Sequence, residues 1–192
     1  MPDSSSLKKA VTAGALGAVS IALAVTPFGY IPWLAGASLT VMHVPAIIGA
    51  VLEGPLVGAT VGAIFGVTSL VRAATSPQGP IDVLFTNPLI SVLPRILVGL
   101  AAWAVFAAFR GKAGAIAAAT AGVVGSVTNS ALVLGALVVA GALPLAVALS
   151  VFVANGLVEA LVAGVLTLAV ASAWKGVGTR FGKARLADEE KK

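Results

Sequence analysis

The sequence predicts an all-α integral membrane protein, a bundle of six transmembrane helices with both termini in the cytoplasm. Three observations carry that expectation. Of the 192 residues, 59% are hydrophobic and 10% charged, and the mean hydropathy is +1.07; such a chain has too little polar surface to face water all round. Its apolar residues fall in runs separated by turn residues, several of them near the ~20 residues that cross a bilayer. Ten of the twelve basic residues then fall on one side of an alternating path through those runs.

The first run is expected at 10–29, where Lys8 and Lys9 precede "AVTAGALGAVSIALAV". A basic pair before an apolar stretch with "ALA" near its end also fits a signal peptide, but apolar runs continue behind it, and a first spanning helix accounts for the pattern. The second run, 41–53, is short and ends at "EGP", a tight turn with Pro55 at the start of the third helix. The third, 55–73, follows Gly54 and carries Gly58, Gly62 and Gly66 at fourfold spacing, a ridge that lets helices approach closely in lipid and is read as internal bundle packing. The fourth, fifth and sixth runs are expected at 88–109, 114–140 and 144–174. In the fifth, Ala118, Gly122, Ser126 and Ser130 repeat the small-residue spacing, again read as packing.

An even number of spans puts both ends on one face, and the positive-inside rule makes that face cytoplasmic. Lys8, Lys9, Arg110, Lys112, Lys175, Arg180, Lys183, Arg185, Lys191 and Lys192 lie there, and Arg72 and Arg95 lie opposite. The expected organisation is one membrane domain over 1–192: a cytoplasmic segment 1–9, the bundle 10–174 and a charged tail 175–192. The net charge of +5 sits beside apolar runs rather than on a reading face, so no nucleic acid is expected as a partner. Zero cysteines exclude disulfides and thiol catalysis. The chain lacks GxxxxGK[ST], HExxH and GxSxG, and its single histidine, His43, has no paired ligand at a recognisable spacing. No enzyme, metal or cofactor is expected.

What remains is a set of polar groups near the external halves of the helices. "TSPQGPIDVLFTNPLISVLPR", Thr75 to Arg95, carries four prolines, an aspartate and an arginine between apolar runs. Its prolines forbid continuous helix, and irregular backbone at membrane depth survives only when buried in protein or lining a cavity. This segment is therefore read as an ordered lid over an outward-facing pocket. Arg95 falls about 10 Å below the helix end expected at Pro88, a depth that demands a partner. Two readings stand: a salt bridge with Asp82, or an anionic ligand matched by the guanidinium fork. Arg72 snorkels or meets ligand; His43 caps its helix or meets ligand. Asn129 lies mid-way along the fifth run, and Asn155 and Glu159 share one face of the sixth, so these three are either site groups or interhelical hydrogen-bonding groups. Asn87 and Phe85 belong to "FTNP" in the lid. Phe28, Tyr30, Trp33 and Phe85 offer apolar wall or an interfacial belt, and the deeper Trp103 is read as packing.

The runs "HVPAIIGAVLEGPLVGATVGAIFGVTSLVRA" and "DVLFTNPLISVLPRILVGL", within six short spans, resemble the substrate-binding S components of energy-coupling factor (ECF) vitamin transporters, over roughly residues 7–174. The resemblance implies a small cell-membrane protein of prokaryotes that binds a vitamin at the external face. It also implies association with a transmembrane T component and two cytoplasmic ATPase subunits, and toppling in the bilayer to release substrate inside. The family's first helix carries a small-residue motif that docks the T component; Ala18 and Ala22 match it, with Gly14 extending the row. "FTNPLxSVLPR" looks like S components for pantothenate, with Arg95 on the carboxylate and Asn129 and Asn155 on hydroxyls and amide. Riboflavin, folate, thiamine and cobalamin are the alternatives within the family. A proton-coupled secondary carrier or channel relayed by Glu159 is the alternative outside it, as is a scaffolding protein whose glycine ridges serve only partner helices.

Overall fold

A computed structural model describes residues 4–26, 29–32, 38–77, 79–111 and 114–189. Among these residues eight helices follow one another: α1 Ser4–Val25, α2 Val44–Glu53, α3 Pro55–Thr75, α4 Pro88–Ser91, α5 Leu93–Phe109, α6 Gly114–Val139, α7 Leu145–Val151 and α8 Leu157–Glu189. A 3-10 turn, Asp82–Thr86, precedes α4, and a π-helical turn, Phe152–Gly156, joins α7 to α8. Between α1 and α2 two short antiparallel strands, β1 Tyr30–Pro32 and β2 Ser38–Thr40, form a ribbon, which the all-helical expectation did not include. Among the expected wall residues, Phe28 and Trp33 lie outside the described residues.

Five helical stretches among the described residues are long and apolar enough to cross a membrane: Ser4–Val25, Pro55–Thr75, Pro88–Phe109, Gly114–Val139 and Leu145–Trp174. The expected sixth, α2, has ten residues, about 15 Å at helical rise against a hydrocarbon core of about 30 Å. It is apolar all round because it is surrounded by protein. Eight of its ten residues are buried, and Val44, Ile47, Ile48, Ala50 and Val51 form the centre of the largest core cluster with Val98 of α5, Ala118 and Ala121 of α6 and Ala163 of α8. Of the six expected runs, five are thus long and apolar enough to span, and the second is a short helix in the core. The outer helices also run further than expected: α1 begins at Ser4, and α8 continues past Trp174 to Glu189. Trp103, expected to pack inside, is 38% exposed on the outer face of α5, as an aromatic in contact with lipid would be.

The α2–α3 turn is made by Gly54 at φ 99°, a left-handed conformation that side chains resist. At that end of the bundle Lys8 Nζ lies 2.9 Å from Glu53 Oε1, with Lys8 57% and Glu53 6% exposed. The same ammonium stands 5.7 Å from the centroid of the Trp174 ring, so one lysine ties α1 to the α2–α3 turn and to α8.

The glycine row of α3 packs inside the bundle. A Cβ on Gly62 would fall 2.2 Å from the Arg95 carbonyl oxygen, and one on Gly66 2.6 Å from Val92 Cα. In return, a Cβ on Gly99 of α5 would meet the Gly58 backbone at 2.4 Å. These are backbone-on-backbone contacts, the arrangement small residues permit where lipid and protein are equally apolar. The row of α6 serves α8 likewise, with a Gly122 Cβ 2.6 Å from the Ala163 carbonyl. By contrast Gly14, Ala18 and Ala22 lie exposed on α1, whose buried face is Thr12, Ala13, Gly17, Ser20 and Ala24. Gly62→Ala should therefore force α3 from α5 and destabilise the protein by about 1–3 kcal/mol, whereas Gly14→Ala should leave thermal unfolding in detergent unchanged; equal melting temperatures for the two variants would refute this packing.

Candidate functional site

Opposite the Lys8–Glu53 end, a cavity of about 610 Å³ opens among α3, α5, α6, the proline-rich segment and the ribbon. That volume falls within the range of small-molecule sites, roughly 300–1,000 Å³. Phe65, Ser69, Arg72 and Ala73 line it from α3, at spacings of one helical turn or two; Asn129 and Val133 line it from α6, one turn apart. Gly79, Pro80, Ile81, Asp82 and Phe85 cover it, and Thr40 and Met42 close the side below the ribbon.

The cover follows from its prolines. Asn87 is extended at φ −80°, ψ 120°, the conformation demanded of a residue before proline, and its side chain accepts from Leu89 N–H at 3.0 Å, capping α4. Helix then stops at Val92 and resumes as α5 with Pro94 in its first turn. Proline has no N–H, so the carbonyl four residues earlier, Ile90, loses its helical donor. Arg95 supplies the replacement: its Nη1 donates to the Ile90 carbonyl at 2.6 Å. The guanidinium carbon is 5.2 Å from the ring centroids of both Phe65 and Phe85, within cation–π range. One ring comes from the bundle and the other from the cover, and Arg95 itself is 6% exposed. The side chain is thus buried, oriented and kept on the cavity wall by groups its own neighbours create.

The second arginine, Arg72, also serves a helix end. Its Nη1 donates to the Ala24 carbonyl at 3.2 Å, one of the last carbonyls of α1, which have no helical donor. With Asp82 in the same lining, the wall carries two guanidinium groups against one carboxylate, an excess of one positive charge that favours a monoanion. Asn129 adds a buried Oδ1, and Ser69 a buried Oγ, with no hydrogen-bond partner among the described residues. Such atoms in a cavity wall are available to a ligand's hydroxyl or amide.

Of the residues singled out from sequence, Arg95, Asn129, Arg72 and Phe85 come together here. Four others lie outside the lining. Asn87 is the helix cap already described. His43, just before α2, is fully buried, and neither ring nitrogen has a hydrogen-bond partner among the described residues. Asn155 is buried in the π-helical turn with its Oδ1 likewise unpartnered. Glu159 accepts from Thr40 N–H at 2.6 Å through Oε1 and from Ser130 Oγ at 3.1 Å through Oε2. Phe65, Ser69, Val133, Met42 and Thr40 were not foreseen. Stepping back one turn at a time from Arg72 leads to Ser69 and Phe65, and forward one turn from Asn129 leads to Val133, so helical periodicity alone locates three of them. Met42 and Thr40 follow an irregular loop and carry no such signal.

If Arg95 is held by the orphaned carbonyl, Pro94→Ala should restore the N–H to Ile90 and release Nη1. The variant should keep or gain thermal stability while its affinity for any anion in the cavity falls, as titration calorimetry would show; parallel loss of stability and affinity would mean Pro94 acts only through the fold.

Comparison with known proteins agrees with this architecture. Over 153 residues, 70% of this chain and 76% of that protein, the chain is 32% identical to the "Pantothenic acid transporter PanT" of Lactococcus lactis subsp. cremoris. It is 37% identical over 75 residues to the "Pantothenate transporter PanT" of Leuconostoc mesenteroides subsp. mesenteroides, a match covering 38% of this chain and only 37% of that relative's length. The family described as "ECF transporter, substrate-specific component" matches residues 8–171. By that match over most of its length, and with five helices long and apolar enough to cross a membrane among the described residues, the chain belongs to the substrate-specific components of ECF transporters.

Proposed function

We propose that this protein captures pantothenate from outside the cell and delivers it inward with a T component and two ATPase subunits. The observation that carries the reading is the cavity wall, in which two guanidinium groups, one carboxylate, Asn129 and Ser69 converge between apolar surfaces. Pantothenate is a monocarboxylate with two hydroxyls and an amide. Its single charge balances the excess of the wall, and its carboxylate suits the fork of Arg95. Asn129 Oδ1 and Ser69 Oγ take its hydroxyl and amide hydrogens, and Phe65, Phe85, Met42 and Val133 cover its methyl-bearing carbon. The names of the two relatives support the same substrate.

In this reading the cavity end faces outward, and the Lys8–Glu53 end, both termini and most basic residues face the cytoplasm of a prokaryotic cell, with the chain crossing the plasma membrane several times. The exposed row Gly14, Ala18 and Ala22 is the face offered to the T component. Because this sequence has no nucleotide-binding motif, the energy for release comes from the partner ATPases.

Purified protein should bind pantothenate in calorimetry against a vitamin panel, with riboflavin, folate, thiamine and cobalamin weaker; no heat with pantothenate would overturn the substrate. Arg95→Ala should weaken pantothenate by about 2–5 kcal/mol but affect its neutral alcohol analogue much less, and an equal loss for both would remove the carboxylate contact. Ala18→Trp should abolish co-purification with the T component while pantothenate binding persists, and an intact complex would refute the docking face.

A further inference from the structure

The cavity's side wall at Thr40 belongs to a ribbon that cannot hold itself. Each strand has three residues, and an isolated two-stranded ribbon is at best marginally stable. Its register pairs Tyr30 with Thr40, Ile31 with Leu39 and Pro32 with Ser38. Antiparallel pairs alternate between those that exchange hydrogen bonds and those whose N–H groups point outward. Pro32 has no N–H to exchange, which suits it to an outward pair, and Val41 N–H donates to the Gly29 carbonyl just beyond the other end. By this alternation Tyr30–Thr40 is also an outward pair, so the Thr40 N–H points away from the ribbon and needs an acceptor elsewhere.

We propose that Glu159 is a positioning residue that latches this ribbon, and with it the Thr40 wall of the cavity, onto α6 and α8. Its Oε1 takes the Thr40 N–H across 119 residues of sequence at 2.6 Å. Its Oε2 is held at 3.1 Å by the hydroxyl of Ser130, the neighbour of the cavity residue Asn129. The carboxylate is buried and lies in the first turn of α8, directly after the π-helical turn. It does not line the cavity, so it acts through Thr40 rather than by touching ligand. Loss of the latch releases the wall without changing any group the ligand meets, so the ligand leaves faster although its contacts are chemically intact.

The latch is tested in ligand-free protein by hydrogen–deuterium exchange over 38–42, and its effect on release by the dissociation rate of pantothenate. The second measurement rests on the pantothenate reading; the first does not. Glu159→Leu is expected to raise exchange over this segment about tenfold and to raise the dissociation rate by a similar factor, the effect of losing one charge-assisted hydrogen bond. Glu159→Gln keeps a carbonyl oxygen for Thr40 and turns its amide to Ser130, and is expected to return both readings to within about threefold of the wild type. Ser130→Ala should give an intermediate rise. Unchanged exchange in Glu159→Leu overturns the proposal; should that variant not fold, unchanged exchange in Ser130→Ala overturns it instead. Absence of pantothenate binding by the wild type would overturn the substrate and leave the exchange measurement to decide the latch.

Discussion

A single missing hydrogen-bond donor organises the cavity side of this protein. Pro94 removes the N–H that the Ile90 carbonyl requires, and the adjacent residue in sequence, Arg95, returns a donor from its side chain. A buried carbonyl without a donor is costly, and this one is met by the guanidinium five residues along. The two phenyl rings flanking the guanidinium keep it from turning back to the helix. The close approach of α3 at Gly62 to the Arg95 backbone fixes where the whole side chain starts.

This arrangement divides the molecule into regions with different physical duties. The centre is built of small and branched apolar residues around the short helix α2, where glycine and alanine let main chains touch. Several polar groups line the cavity wall, and others stand at points where helix ends or strand edges leave a backbone group unmet. Arg72 meets the end of α1, Asn87 the start of α4 and Glu159 the edge of the ribbon. Hydrophobic burial contributes little to association between helices already in lipid, so these polar closures and the close glycine contacts carry much of the specificity of the fold.

How much of this was legible in the sequence depends on the kind of signal. Long apolar runs located α3, α5 and α6, and small residues at fourfold spacing located the packing faces of α3 and α6, because spanning helices must satisfy their own backbone and so obey length and period closely. The second run carried less information: ten apolar residues look alike whether lipid or protein surrounds them, and only tertiary structure shows that α2 is buried in the core. Arg95, Arg72 and Asn129 were identifiable because charge or amide in an oily run is expensive wherever it lies. The same logic also selected Glu159, Asn155 and His43, which are buried but do not line the cavity, since cost of burial marks a polar residue without saying what it faces. Thr40 and Met42 carry no cost and no period, and they emerge only when the ribbon is folded against the bundle.

The bond between Lys8 and Glu53 gives the extreme N-terminal residues a duty their composition conceals. Glu53 is almost wholly enclosed and Lys8 mostly exposed, and the lysine is the cation that pairs with the buried acid. Shortening the chain past this point, as trimming a seemingly dispensable leader would do, strands an acid between the first hairpin and the last helix. Lys8 is therefore part of the folded body, and its replacement is felt at the α2–α3 turn and at α8.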